Sequence, residues 1–385
     1  MSKIISLGKE EKIEKKHISK INNHIDFTFL CLLFILLLLG SLMIFSASYP
    51  YAKSHYQDGF YYIKRHLIFL AIGIVTMLIF SKIKIGFYKK SAPVIYAICI
   101  VLLVLVLFGG FSEGVAKRWL GIPGTPLSFQ PSELMKFGII IMLSWYIDKT
   151  KARKKNIFFE IVLPGIILFS ACALVMLEKH LSGTVILALI GIAVLFISGA
   201  SIKKMMLTYG GFGAIGGTVF LLTNSYAMKR IESFFNPNAD ILSDKWQTTQ
   251  GLYAAGSGGL WGLGFFNSRQ KYSYVSEPQN DFIFTIWCEE MGFVGAIFLL
   301  CIFVLLIWRG YKIAFEASDM FSRLVAFGII TQVGIQAFLN MMVVLDLIPN
   351  TGISLPFFSY GGSSLVILLA EMGILLSISK KSLVS

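Results

Sequence analysis

Ser276-Glu-Pro-Gln-Asn-Asp281-Phe-Ile-Phe-Thr-Ile-Trp-Cys-Glu-Glu290-Met-Gly-Phe-Val-Gly-Ala-Ile-Phe-Leu-Leu300-Cys-Ile-Phe-Val-Leu-Leu-Ile-Trp308 starts as a polar loop and turns apolar at Phe282. About 20 apolar residues suffice to cross the hydrocarbon of a bilayer, and the run from Phe282 to Trp308 exceeds that. A transmembrane helix is predicted here. Three acids disturb it: Asp281 on its threshold, and Glu289 with Glu290 inside it. A charge within a span costs about 2.5–3.5 kcal/mol on insertion scales, so function is the default reason for such acids. On spacing alone Asp281 suits two roles, an N-cap at the positive end of the helix dipole or a catalytic carboxylate.

Composition extends the membrane assignment to the whole chain. Hydrophobic residues make up 56% and charged residues 14% of the 385 positions, against about 25% charged in soluble proteins. The mean hydropathy is +0.75. Run length predicts an all-α polytopic membrane protein of ten spans, at 27–47, 66–81, 91–109, 132–148, 158–177, 183–200, 204–223, 282–308, 322–345 and 361–379. Residues 1–26 form a polar tail, 27–381 the transmembrane domain, and 382–385 the C-terminus. One large loop, about 224–281, separates spans seven and eight.

Charge placement orients this arrangement. Most of the 34 Lys and Arg residues fall in the tail, the segments 82–90, 149–157, 201–204 and 309–323, and the C-terminus. The positive-inside rule then places both termini in the cytoplasm and the 224–281 loop outside the cell membrane. The net charge of +13 suits an anionic inner leaflet. A nucleic-acid partner is excluded, because the basic residues are scattered over short loops rather than gathered on one face.

Several polar positions stand out along the chain. In the outer loop 110–131, Arg118 offers a planar fork that matches a phosphate, and Trp119 suits a membrane interface. Glu133 and Lys136 are i,i+3 on one helix face, where they either neutralise each other or line a cavity. Cys31, Cys99, Cys172, Cys288 and Cys301 lie in apolar runs without metal-ligand spacing and read as buried small residues. The run Gly256-Ser-Gly-Gly-Leu-Trp-Gly-Leu-Gly264 lacks the strand before and the Gly-Lys-Ser/Thr ending of a nucleotide loop. Its glycines are expected to let the backbone approach a glycan or headgroup. The irregular run Pro349 to Ser364 is tolerated at membrane depth only if buried or lining a wet cavity. Glu371 is a lone acid in the last span.

The wording of these segments resembles the SEDS family (shape, elongation, division, sporulation), the membrane proteins of the FtsW, RodA and SpoVE type. The resemblance is carried by Ser276-Glu-Pro-Gln-Asn-Asp281 with Glu289-Glu-Met-Gly292, and by Arg118-Trp-Leu120 and Gln130-Pro-Ser-Glu133. It recurs at Gln250-Gly-Leu-Tyr-Ala-Ala-Gly-Ser-Gly-Gly259 and Pro349-Asn-Thr-Gly-Ile-Ser-Leu-Pro-Phe-Phe-Ser-Tyr-Gly-Gly-Ser-Ser364. Lys229-Arg-Ile-Glu-Ser-Phe-Phe-Asn-Pro237 is similar to the FtsW and SpoVE branch. Glu178-Lys-His-Leu-Ser-Gly-Thr184 matches a family turn, except that Lys179 stands where the family has proline.

The resemblance implies a peptidoglycan glycosyltransferase that polymerises lipid II in cell division or sporulation, with release of undecaprenyl pyrophosphate. Asp281 would be the base for the acceptor hydroxyl. Arg118, Trp119, Glu133, Lys136, Arg269, Lys271 and the hydroxyl side chain at position 360, Tyr360, would bind substrate. Glu289 and Glu290 would hold a cation or tune Asp281, or else form structural pairs. No cofactor is demanded, and a divalent cation (Mg or Mn) is compatible with a diphosphate clamp. The implied partners are a class B penicillin-binding protein, which supplies the transpeptidase, and other division proteins. A lipid II flippase is the alternative from another class, since buried charges and interrupted helices also suit a transporter.

Overall fold

A computed structural model describes residues 25–112, 117–122, 128–150, 156–223, 225–236 and 245–380. The tail before Ile25, Glu113, Lys151 to Lys155 and the terminus 382–385 lie outside the described residues, as does part of the large loop. Among the described residues, long helices occupy all ten stretches read as spans. They are α1 (Phe27–Tyr56), α2 (Tyr61–Phe80), α3 (Ile85–Gly109), α4 (Pro131–Thr150), α5 (Phe158–Leu177), α6 (Leu181–Ile197) and α7 (Ile202–Leu222). After the loop region follow α10 (Ile283–Phe315), α11 (Met320–Val344) and α12 (Gly362–Ser379). Eight are long and apolar enough to cross a membrane by length and composition. The two others are α6, which is shorter, and α4, which carries Glu133 and Lys136 in its first turns.

Two expectations for the connections need correction. The region 110–131 is not plain loop, since β1 (Phe111–Ser112), β2 (Lys117–Gly121) and β3 (Ser128–Phe129) form a small antiparallel sheet in that order. The stretch 224–281 is likewise structured, with α8 (Ser225–Phe235) and α9 (Trp246–Ser257) inside it.

The bundle is apolar outside as well as inside. On α2, Leu67, Ile68, Ile72, Val75, Leu78 and Ile79 are exposed, as lipid-facing residues must be. Helix α11 is the most enclosed and packs against α4, α6 and α10. Close approach of α2 and α12 depends on small residues. Gly73 faces Leu369, and a Cβ on Gly373 would stand 2.4 Å from the Met77 carbonyl oxygen. Such contacts let helix backbones approach where no hydrophobic force drives them together.

One end of the bundle is clasped by ion pairs. Asp26 caps α1 by accepting from the Phe29 amide at 2.9 Å and pairs with Arg309 of α10 at 2.7 Å. The Asp26 amide reaches Ser379 Oγ at 3.3 Å. Lys89–Asp148 (2.6 Å) and Lys204–Glu160 (2.8 Å) belong to the loop segments read as sharing that side. Both ends of the described chain therefore meet at one end of the bundle.

Helix α10 is not continuous, contrary to the uninterrupted span expected over 282–308. Gly292 has φ 68° and ψ −169°, so the chain breaks there. The break frees backbone groups that must be satisfied inside a membrane protein, and the glycine run after α9 supplies their partners. Leu263 and Gly264 amides donate to the carbonyls of Glu289 and Glu290 at 2.9 and 3.0 Å. Phe293 and Val294 amides donate to the carbonyls of Gly259 and Leu260 at 2.9 and 3.1 Å. A Cβ on Gly262 would stand 2.1 Å from the Glu290 carbonyl oxygen. The glycines bring backbone to backbone, and that contact replaces the ligand contact expected from the sequence.

Candidate active site

At the opposite end from the clasp, a cavity of about 670 Å³ opens among α1, α2, β2, α4, α6, α11, α12 and the loop before α10. Its wall contains Asp281, Trp119, Glu133, Lys136 and Tyr360. Five positions that lie up to 241 positions apart in sequence, from Trp119 to Tyr360, thus share one wall system.

Asp281 sits at the mouth. Its backbone carbonyl accepts from Asn340 Nδ2 at 2.8 Å, which fixes the loop to α11. Asn340 also donates to the Ile353 carbonyl at 2.5 Å, and Gly352 lies close against the Asp281 carboxylate. Gly352 has φ +64°, a conformation that favours glycine, and a Cβ there would stand 3.0 Å from Asp281 Oδ2 and press on the carboxylate. Burial in the cavity wall raises the Asp281 carboxyl to about 6. Glu277 adds to the rise and Arg230 of α8 opposes it. No hydrogen bond from the Asp281 side chain caps α10, whose N-cap position is Phe282. The capping role is thereby set aside.

Below Asp281 runs a buried polar chain. Lys136 Nζ pairs with Glu133 Oε1 at 2.8 Å and donates to Gln336 Oε1 at 3.0 Å. Gln336 in turn donates to the Ser354 carbonyl at 3.1 Å. Gln332, Gln336 and Asn340 are spaced four apart on α11 and so share one face. Gln332 donates to Glu371 of α12 at 2.9 Å, giving that lone acid its partner. Lys136 and Glu133 therefore neutralise each other and line the cavity at once. The sequence signal for this stripe was an amide every fourth residue in an otherwise apolar helix. Gln332 and Gln336 carry no charge, so neither interrupts the apolar run as Glu133 or Lys136 does.

Arg118 stands beside the cavity and is not on its wall. Its Nη2 donates to the Lys179 carbonyl at 2.5 Å and so ties β2 to the turn between α5 and α6. Lys179 takes the left-handed conformation there, with φ 55°. In that turn burial pushes Glu178 up to about 8 against the pull of Arg118, so its carboxyl is protonated at neutral pH. Burial and the charges of Arg118 and Lys136 push His180 down to about 3. His180 is therefore neutral, and its Nδ1 meets Gln130 Nε2 at 3.2 Å and Ser132 Oγ at 3.3 Å on the cavity wall.

The remaining candidates gather elsewhere and need correction. Lys271 is fully buried and pairs with Glu290 at 2.9 Å, with Ser46 Oγ at 3.0 Å and the Phe266 carbonyl at 2.7 Å completing its donors. Burial lowers its pKa while Glu290 pulls the other way. Glu289 accepts from Ser268 Oγ at 2.5 Å and from the Arg269 amide at 2.9 Å. Lys271, Glu289 and Glu290 thus hold the 266–271 turn against α1 and α10, away from the cavity, and Arg269 contributes its backbone while its side chain is exposed. Unlike Lys136, Lys271 is absent from the cavity wall, and its ammonium is enclosed by Glu290, Ser46 and the Phe266 carbonyl.

A bundle of long apolar helices around a cavity lined by charged and polar side chains defines the class as polytopic membrane protein. Residues 27–383 match the FTSW_RODA_SPOVE family, described as "Cell cycle protein". Stage V sporulation protein E of Bacillus subtilis is 38% identical over 362 residues, covering 93% of this chain and 97% of that protein. A protein called "Probable peptidoglycan glycosyltransferase FtsW" from Geobacter sp. is 35% identical, covering 92% and 97%. In fold, the chain matches one from a peptidoglycan synthase complex with TM-score 0.76, 24% identity and coverage of 92% and 98%. It matches Thermus thermophilus RodA in its D255A form with TM-score 0.70, 24% identity and coverage of 94% and 99%. The chain belongs to the FtsW/RodA/SpoVE family of cell cycle proteins.

Proposed function

We propose that the protein is a peptidoglycan glycosyltransferase. It polymerises lipid II at the outer face of the cell membrane, with release of undecaprenyl pyrophosphate, in division or sporulation. The observation that carries this reading is the meeting of Asp281, Lys136 and Trp119 in one cavity, in a chain whose relatives include proteins called probable peptidoglycan glycosyltransferases. Asp281 accepts the proton of the acceptor sugar hydroxyl. The hydroxyl oxygen then bonds to the anomeric carbon of the donor. The bond from that carbon to the diphosphate breaks, and its electron pair leaves with the lipid carrier. Lys136, held by Glu133 and Gln336, faces the departing negative charge.

The residues present suit a magnesium-type cation held by one carboxylate plus substrate phosphates, because Glu277 lines the cavity beside Asp281 and would leave Asp281 free as the base. Among the described residues no three His, Cys, Asp or Glu side chains converge on one point. Such an ion, when bound, would neutralise the diphosphate. The proposed partner is a class B penicillin-binding protein that supplies the crosslinking, a pairing suggested by the solved peptidoglycan synthase complex, described as coordinating polymerization and crosslinking, that contains a chain of this fold.

The test is lipid II polymerisation by the purified protein with its partner transpeptidase. Asp281→Asn is expected to fold, bind the partner and make no polymer. Substantial polymer from that variant would sink the base assignment, and no polymer from the parent would sink the glycosyltransferase reading.

A further inference from the structure

Glu371 has no part in the mechanism above and does not line the cavity. It stands midway along α12 and is 1% exposed. Its Oε2 accepts from Gln332 Nε2 at 2.9 Å. Its Oε1 and Gln332 Oε1 have no hydrogen-bond partner among the described residues. Both atoms are acceptors, so neither can serve the other while the acid is ionised. Glu371 forms no ion pair with any described residue. The charges that act on it are Lys136 and Glu133, both on α4, and these are joined to each other at 2.8 Å. The titratable groups of the other helices packed on α12 are engaged elsewhere. His66 of α2 is bonded to Ser41 of α1 at 3.1 Å, and Glu289 and Glu290 of α10 are held by the 266–271 turn. On α3, Tyr88 packs against Phe80, Phe87 and Phe137, and Cys99 turns to the Leu134 carbonyl.

An isolated carboxylate is costly in a membrane interior, and a buried acid without a counter-charge takes up a proton instead. A proton on Glu371 Oε1 satisfies both unpartnered atoms at once. The carboxyl then donates its O–H to Gln332 Oε1 while Oε2 keeps the bond from Nε2, so that acid and amide close a ring of two hydrogen bonds. The same proton sets the charge of the cavity floor. With Glu371 ionised, two carboxylates would face one ammonium, and a net negative floor would oppose a departing diphosphate. With Glu371 neutral, Glu133 is the single counter-charge of Lys136. We propose that Glu371 carries a proton in the working protein and is a positioning residue for Lys136: neutral, it locks Gln332 to α12 and keeps a second negative charge away from the ammonium.

This inference rests on the glycosyltransferase reading, in which Lys136 faces the leaving diphosphate, and it adds a limit at high pH. Asp281 sets an acid limb, because it must be ionised. Glu371 sets an alkaline limb, because it must be neutral. Its proton is present below its titration and is lost as pH rises through it. Ionisation there brings one more negative charge near Lys136, which should lower kcat/KM about tenfold.

Infrared difference spectroscopy and pH profiles test the proton and its effect separately. The complex with the partner transpeptidase is compared with the same complex carrying Glu371→Gln, which is neutral at every pH and close in shape. At pH 7 the parent-minus-variant spectrum should show the carbonyl stretch of a protonated carboxyl, and that band should bleach as pH rises. In lipid II polymerisation the variant should lack the parent's alkaline limb and be about tenfold more active than the parent beyond it. No carboxyl band in the difference spectrum, or an alkaline limb that persists in the variant, would overturn the proposal. If Glu371→Gln does not fold, Gln332→Leu combined with Glu371→Leu replaces both partners by apolar groups and should also lack the limb. Failure of both variants to fold would overturn the proposal too, because a neutral pair tolerates a neutral replacement. Polymer from a parent without the band sinks the proposal alone. A parent that shows the band and makes no polymer at any pH sinks the glycosyltransferase reading, and the positioning role with it.

Discussion

A carboxyl raised to about 6 is still mostly ionised at pH 7, which is the state a general base needs. Because protonation disables it, activity is expected to fall as pH drops through about 6. The neighbours set the direction of further shifts. Glu277→Gln removes a charge that raises the value, so the acid limb of kcat/KM should move to lower pH. Arg230→Gln removes the opposing charge and should move it higher. A pH profile with no break near 6 would rule Asp281 out as the titrating base. Lys271 poses the opposite question, because its partner Glu290 is buried beside it. Lys271→Met strands a buried carboxylate, which costs about 3–5 kcal/mol, and Lys271→Met combined with Glu290→Leu should recover most of that loss. Thermal unfolding in detergent reads both. A stable, inactive Lys271→Met protein would restore Lys271 to the substrate.

At the scale of elements, the interrupted helix α10 makes its own prediction. Gly262→Ala places a methyl against the Glu290 carbonyl, at a backbone with φ +81°. Overpacking of this kind costs about 1–3 kcal/mol. Gly216→Ala on α7 meets nothing within 4 Å, and helix propensity should make it neutral or stabilising. Equal unfolding midpoints for the two variants would refute the backbone docking described here. Legibility in the sequence follows the same division. Run length disclosed all ten long helices, because apolar length is read locally. The break at Gly292 was hidden, because its cause lies in residues 259–264, which are remote in sequence. The cavity residues Asp281, Trp119, Glu133, Lys136 and Tyr360 were legible through charge in apolar runs and through family wording. Tyr61, Tyr62 and Arg65, which line the cavity too, were not, since a Tyr-Tyr pair beside a basic residue at a helix start also reads as an interface anchor.

For the molecule as a whole, the clasp at Asp26, Arg309 and Ser379 places both ends of the described chain together. Single cysteines introduced near Ile25 and Lys380 into a cysteine-free protein should resist a membrane-impermeant label in intact cells. A cysteine at exposed Trp261 should react. Labelling of the Lys380 site without permeabilisation would overturn the proposed orientation.

The packing of α2 on α12 also has a consequence in time. Gly73 and Gly373 are 300 positions apart, and synthesis at about 5–20 residues per second separates them by roughly 15–60 s. Throughout that interval the second helix to be made waits in the bilayer without its permanent neighbour. The cavity corner that holds Tyr61 and Arg65 lacks the wall bearing Tyr360 until the final helix arrives. The cavity wall is therefore completed only when the last helix is in place, and a chain interrupted before it lacks the partner for the glycine face of α2.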